Sequence, residues 1–164
     1  MAFDRSSIDE FERGGETLAH AIRGLSREDL AWAPPAGAAP ELGRWSIHQI
    51  VIHLMDSDAI GVHRMKRVIA EDRPLLIGYD ETRFAQALSY DEQSAEASLT
   101  IFDLSRRELA KVLRRLPAEA FDRWGVHNEH GKVTLAEFVD TYVKHLDNHL
   151  KFIRAKRANL GKPL

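Results

Sequence analysis

The sequence contains no cysteine, which excludes disulfide bonds, thiolate metal ligands and a cysteine nucleophile. It also lacks a basic excess, because 23 lysines and arginines face 25 aspartates and glutamates and leave a formal net charge of −2. Binding to a nucleic-acid backbone depends on clustered positive charge. We therefore expect no nucleic-acid partner.

Long hydrophobic runs are absent as well. No apolar stretch approaches the roughly 18 residues that indicate a transmembrane helix, so the sequence predicts no membrane partner. The N-terminal segment MAFDRSSIDEFERGG lacks the apolar core of a signal peptide, which favours a cytoplasmic location. With 164 residues and a 44% hydrophobic composition, the chain is predicted to form one domain over residues 1–164.

Sustained alternation of polar and apolar residues is also missing, so no strand is predicted. Apolar spacings of three and four instead predict four long helices, over residues 7–24, 47–70, 94–116 (with Asp91 as an alternative start) and 134–157. Capping boxes are expected for Ser7 with Glu10, Ser46 with Gln49, and Thr134 with Glu137. The pattern is typical of an all-α four-helix bundle with long inter-helix loops, which leave room for crossover connections.

The last predicted helix carries two histidines one turn apart, His145 and His149. They follow Phe138 and Tyr142 on the apolar stripe, so both imidazoles are expected to face the protein interior. Residues four apart share a helix face and can chelate one metal ion. The alternative is a pair of core histidines whose ring nitrogens are satisfied by hydrogen bonds. The basic segment after this pair is expected to be a solvated helix end.

A third inward histidine, His53, lies in the apolar sector of the second long helix. Metal sites in helix bundles are built from side chains on facing helices, and three neutral imidazoles suit Zn²⁺ or Ni²⁺. Three protein ligands leave a coordination position open, as in catalytic sites. Such a metal can activate water or an external thiol.

Three further residues are candidates for catalytic roles. Asp56 is a candidate acceptor that orients a ligand imidazole, or else a solvated helix carboxylate. Tyr142 is a candidate site residue, or else a core residue with a satisfied hydroxyl. His127 is a candidate for the mouth of the site, or else an ordinary loop histidine.

At this point three stretches resemble the DinB/YfiT-like superfamily of metalloenzymes: RWSIHQIVIHLMDSD, PLLIGYDE and HNEHGKVTLAEFVDTYVKHLDNHLKFI. The resemblance implies a four-helix bundle whose divalent metal is held by His53, His145 and His149, and a homodimer. The sequence differs from the YfiT-like branch of the family at Asn148, where a further histidine is common. It differs again at Asn128 and Glu129, where that branch often has Pro-Glu after the histidine.

The resemblance implies a small-molecule substrate and leaves several functions open. Some members are S-transferases that use a low-molecular-weight thiol such as bacillithiol or mycothiol, and others are maleylpyruvate isomerases or metal-dependent hydrolases. The leading hypothesis is a thiol S-transferase in which the metal activates an external thiol. The absence of cysteine fits a thiol from outside and is equally compatible with no thiol chemistry. The alternatives are a hydrolase that uses water activated by the metal, or a stress protein that binds metal or ligand without turnover.

Overall fold

The computed structural model describes residues 3–164. The described chain contains six α-helices: α1 Ser6–Ile22, α2 Arg27–Ala31, α3 Ile47–Ala70, α4 Glu81–Ala87, α5 Ala95–Arg115 and α6 Leu135–Asn159. Short 3₁₀ turns lie at Pro40–Leu42, Tyr90–Glu92 and Ala118–Asp122. None of the helices in this part of the chain has the length and apolar character needed to cross a bilayer.

The four long helices α1, α3, α5 and α6 form the predicted bundle. Both α1 and α3 pack against α5 and α6, so α1 and α3 occupy opposite corners. The other two corners are those of α5 and α6. The connection from α1 to α3 and the connection from α5 to α6 therefore each join helices at opposite corners of the bundle. The predicted all-α four-helix bundle is confirmed, and its long connections do include crossovers.

The prediction of no strands was wrong. Strands β1 (Leu75–Leu76), β2 (Trp124–His127) and β3 (Gly131–Thr134) form a small sheet in the order β1-β2-β3. The β1 strand is parallel to β2, and β2 is antiparallel to β3. Strands of two to four residues are too short to show a period, and Gly131 makes the hairpin turn with φ +69°. This sheet ties the connection after α3 to the connection after α5.

The helix starts are mostly as predicted. Capping boxes form at Ser46 and Thr134, which begin α3 and α6, and Ser94 caps α5. The box predicted at Ser7 does not form, because the N-cap is Arg5, two residues earlier. There the carboxylate of Asp4 accepts a hydrogen bond from the Ser6 backbone N–H at 2.9 Å.

The core consists of two apolar clusters separated by a polar layer. In this layer the buried Arg106 guanidinium of α5 makes a bidentate pair with Asp58 of α3, with N–O distances of 2.5 and 3.0 Å. It also donates to the carbonyl oxygens of Phe11 and Tyr142. A Cβ at Gly14 would collide with this guanidinium, so the glycine is required for the close approach of α1. The layer thus links all four helices of the bundle.

The basic end of α6 is not the solvated helix end that was expected. Lys156 is buried, donates to the carbonyl of Leu42, and has its pKa lowered to about 8 by burial. Arg157 donates to the carbonyls of Ala21 and Arg23 at the C-terminal end of α1. These two cations close off unpaired carbonyl groups, a role that charge counting along one helix does not reveal.

Candidate metal centre

Three imidazoles from α3 and α6 converge inside the bundle. The Nε2 atom of His145 lies 3.2 Å from Nε2 of His53 and 3.1 Å from Nε2 of His149. Residues 92 positions apart in the chain thus meet at one point, while the α6 pair is four positions apart. The structure therefore brings together the three histidines singled out in the sequence as a candidate ligand set.

Hydrogen bonding alone does not satisfy this arrangement. A neutral imidazole nitrogen carries either one hydrogen or one lone pair, so Nε2 of His145 can form a hydrogen bond with only one of its two neighbours. The Nδ1 atoms of His53, His145 and His149 are all buried and have no partner among residues 3–164. Whichever tautomers are chosen, buried polar atoms stay unpaired. This geometry therefore favours metal ligands over satisfied core histidines.

The protonation states of the three rings are those of metal ligands. Burial, together with the charges of the other two rings, lowers the pKa of His53 to about 2. Burial likewise lowers the pKa of His149 to about 3 and that of His145 to about 4. All three rings are thus neutral at neutral pH and each offers a lone pair.

The spacing of the nitrogens also fits a metal ion. With metal–nitrogen bonds of about 2.1 Å, adjacent ligand atoms are about 3.0 Å apart in octahedral geometry and about 3.4 Å apart in tetrahedral geometry. The two Nε2–Nε2 distances of 3.2 and 3.1 Å lie between these values. The donor set, its protonation state and its spacing are therefore compatible with one divalent ion.

The surroundings of the histidines hold them in place. The ring of Trp45 lies 4.7 Å from the His53 ring and stacks parallel to the His149 ring at 6.4 Å between centroids. On the other side, Arg106 binds the Tyr142 carbonyl three residues before His145. An aromatic wall and the buried polar layer thus flank the site on α3 and α6.

The cluster opens on a cavity of about 570 Å³, a size typical of small-molecule sites. Its walls come from the bundle and from the connections tied by the sheet. The lining residues are Ser57, Arg64, Tyr79, Glu81, His127, His130, Lys132, Val133, Glu137, Phe138, Thr141, Tyr142 and His145. His145 is therefore the histidine of the cluster that meets the cavity.

The three predicted catalytic residues, Tyr142, His127 and Asp56, lie in different surroundings. Tyr142 and His127 both line this cavity, and both are about 5% exposed. Nδ1 of His127 accepts the Glu129 backbone N–H at 3.2 Å, which leaves its hydrogen on Nε2. Asp56 does not orient an imidazole, because its carboxylate accepts the Tyr90 hydroxyl at 2.7 Å and all three Nδ1 atoms are unpartnered.

A second group of potential ligands lies at the hairpin, where His127, Glu129 and His130 offer atoms within 4.8 Å of one another. Glu129 and His130 are exposed, and one nitrogen of His127 is already hydrogen bonded. Exposed groups of this kind are common without an ion. No metal site is assigned there.

The structure adds residues that sequence reasoning missed. The carboxylate of Glu81, the first residue of α4, lies 4.0 Å from Nε2 of His53, and burial raises its pKa. Tyr79 and Arg64 also line the cavity. Glu81 and Tyr79 belong to the segment PLLIGYDE, which resembles the family, so the sequence could have indicated them as site residues. Arg64 lies eleven positions after His53 and therefore on nearly the same helix face.

Fold and site together define a class of protein, a helical bundle with a three-histidine cluster open to a cavity and able to hold one metal ion. The chain belongs to the DinB superfamily, whose family model matches residues 10–153. This confirms the resemblance drawn from the sequence motifs.

Individual relatives agree with this assignment. The chain is 27% identical over 146 residues to a protein of Oceanobacillus iheyensis named "Putative metal-dependent hydrolase", covering 89% of this chain and 81% of the relative. A Bacillus mycoides protein with the same name is 26% identical over 154 residues, covering 94% and 85%. The solved structure of YfiT from Bacillus subtilis, described as a probable metal-dependent hydrolase with an unusual four-helix bundle topology, superposes with a TM-score of 0.85. It is 23% identical, with 95% of this chain and 86% of YfiT covered, and supports the fold.

Proposed function

We infer that this protein is a metal-dependent hydrolase of small molecules, with His53, His145 and His149 as the ligands of one divalent ion, Zn²⁺ or Ni²⁺. The observation that carries the inference is the set of three neutral imidazoles whose contacts hydrogen bonds cannot satisfy. The names of the relatives from Oceanobacillus iheyensis and Bacillus mycoides support a hydrolytic reaction.

Glu81 is the residue placed to move a proton in this reaction. A divalent ion at a three-histidine site acts as a Lewis acid and lowers the pKa of a bound water or thiol. The Glu81 carboxylate lies 4.0 Å from His53 Nε2, at the edge of the cluster, and burial raises its pKa, which makes it a better proton acceptor than an exposed carboxylate. Tyr142 and His127 line the cavity and take the roles of substrate contacts, with the His127 Nε2–H as a donor.

Thiol S-transfer is the second candidate function. The cavity of about 570 Å³ has room for two small molecules, and the same Glu81 carboxylate can accept the proton of an external low-molecular-weight thiol. A chain without cysteine has no thiol of its own for this reaction. The homodimer, the cytoplasmic location and the single-domain organisation of residues 1–164 stay predictions.

Metal content is the direct test. We expect about one Zn²⁺ or Ni²⁺ ion per chain in protein purified without a histidine tag, measured by mass spectrometry of the metal. His53→Gln should lose the metal, whereas His63→Gln, an exposed position on the same helix, should retain it. A parent protein that binds neither ion in a titration would contradict the assignment.

Turnover separates the two functions. Ester and amide substrates should be hydrolysed by the metal-loaded parent, and Glu81→Gln should lose this activity while it keeps the metal. Product that contains the added thiol, formed from a halogenated aromatic electrophile, would favour S-transfer over hydrolysis. Full activity in Glu81→Gln would exclude Glu81 as the proton acceptor in either reaction.

A further inference from the structure

Arg64 of α3 is a buried cation without a counter-ion. Its side chain is only 9% exposed, and no carboxylate of residues 3–164 lies within the 4.0 Å of an ion pair. One terminal nitrogen donates to the Ile77 carbonyl, while the buried Nε has no partner. A guanidinium stays charged at any physiological pH, so its desolvation is not relieved by loss of a proton.

The other buried cations of the described chain differ from Arg64. Arg106 has a bidentate carboxylate partner in Asp58. Arg157 binds two carbonyls at the negative end of α1, and the pKa of Lys156 is lowered by burial to about 8. Arg64 has only neutral groups beside it, the Ile77 carbonyl and the Tyr142 hydroxyl. Its charge is therefore the one that the fold itself compensates least.

This charge lies on the same cavity as the histidine cluster. Arg64 and His145 both line it, and the Tyr142 ring packs between them against Gly61, where a Cβ would collide with it. Along α3, Arg64 and His53 are separated by about 16 Å of helix rise and by only about 20° around the axis. The arginine side chain leans toward the helix N-terminus and so shortens this separation. A molecule in the cavity can therefore contact Arg64 and the histidine cluster at the same time.

The Arg64 end of the cavity is positively charged. The hairpin adds the cation Lys132, and neutral His127 adds an N–H donor, since burial and the positive charge of Arg64 lower its pKa. The lining carboxylate of Glu137 is engaged by the backbone N–H and hydroxyl of the Thr134 cap.

Two further polar side chains lie on the cavity, Glu81 and Tyr79. Glu81 lies at the opposite end, beside His53. The Tyr79 hydroxyl is buried without a partner on the cavity wall, and burial raises its pKa to about 12, so it stays a donor.

We propose that Arg64 binds an anionic group of the substrate, a carboxylate or a phosphate, while the bond that reacts lies at the three-histidine cluster. Tyr79 supplies a second donor to the bound molecule. The substrate class is thus a small organic anion whose charge lies several bonds from its reactive centre. This inference rests on the proposed function for the reactive centre, but the anion site itself does not require the metal.

Binding of simple anions to metal-stripped protein tests the proposal, because no anion can then coordinate a metal. The probes are adipate, phenyl phosphate and the neutral adipamide, titrated by isothermal calorimetry. We expect at least one anion to bind about tenfold or more tightly than adipamide. Arg64→Met should weaken the binding of that anion about tenfold or more and leave adipamide unchanged.

Two variants serve as controls. Lys66→Met removes an exposed cation from the same helix and should leave anion binding unchanged. Arg64→Lys keeps the charge without the planar fork and should restore part of the anion affinity. Tighter binding of adipate than of phenyl phosphate would indicate a carboxylate, and the reverse order a phosphate.

The outcomes separate this proposal from the proposed function. Equal affinity of the parent for anions and adipamide, or unchanged anion binding in Arg64→Met, would overturn the anion site even if the protein holds a metal. Anion binding that depends on Arg64 in a chain that never binds metal would leave the anion site standing and remove the hydrolase.

Discussion

Metal-free protein should lose stability steeply as the pH falls from about 7.5 to about 5.5. The cause is the set of three buried rings whose pKa values are about 2, 3 and 4 in the folded chain, against an ordinary value near 6.5. Below pH 6.5 the unfolded chain takes up protons at these positions and the folded chain does not. The unfolded state therefore binds more protons, so stability rises with pH and is lost as the pH drops below 6.5.

The size of this loss follows from the pKa differences. Each histidine that stays neutral in the folded state costs about 1.4 kcal/mol for each pH unit below its unfolded pKa. Three such rings give about 4 kcal/mol at pH 5.5, and partial exposure of His145 and His149 reduces this to about 2–4 kcal/mol. That is a large part of the 5–15 kcal/mol typical of a domain.

Urea unfolding in the presence of a chelator, at several pH values, measures this loss. His149→Gln removes one of the three rings and should reduce the loss by about one third, whereas His63→Gln should not change it. The pKa of His127 is also lowered by burial, and its contribution is common to all these proteins. A pH dependence that is flat, or identical in the parent and in His149→Gln, would refute the reasoning.

Two further predictions concern the scaffold. Arg106→Met should cost about 3–5 kcal/mol in urea unfolding because Asp58 is left buried and unpaired, and adding Asp58→Leu should recover part of that loss. A double variant no more stable than the single one would contradict this account. Ser46→Ala should cost about 1 kcal/mol through loss of a capping bond, whereas Ser7→Ala should stay within about 0.5 kcal/mol. Similar losses at both serines would restore the capping box predicted from the sequence.

The parts of the fold predicted from sequence are those set by local periodicity. The long helices and the caps at Ser46 and Thr134 depend on residues three or four positions apart, which the sequence displays directly. The inward positions of His53, His145 and His149 follow from the same spacing. Their convergence is a property of how α3 packs on α6. The inward positions suggested it, and the family resemblance implied the same three ligands.

The missed features depend on contacts between distant segments. The hairpin of residues 124–134 pairs with a two-residue strand some fifty positions earlier, which no local pattern reveals. Glu81 reaches the histidines because this sheet holds the connection after α3 over the cavity. In the sequence Arg64 is indistinguishable from an exposed helix cation, because the segments that bury it are distant in the chain. The hydrogen bond from Tyr90 to Asp56 could not be predicted because Tyr90 lies in another connection.

The small sheet has a consequence for how the protein can be changed. The three histidines stand on α3 and α6, whereas Tyr79, Glu81, His127 and Lys132 stand on the two connections that the sheet joins. The histidine cluster and nearly half of the cavity lining are therefore carried by separate pieces of the chain. An engineer can rewrite residues 127–132 to seek new substrates while leaving Glu81 and the bundle interior intact. One bundle can in this way serve many molecules.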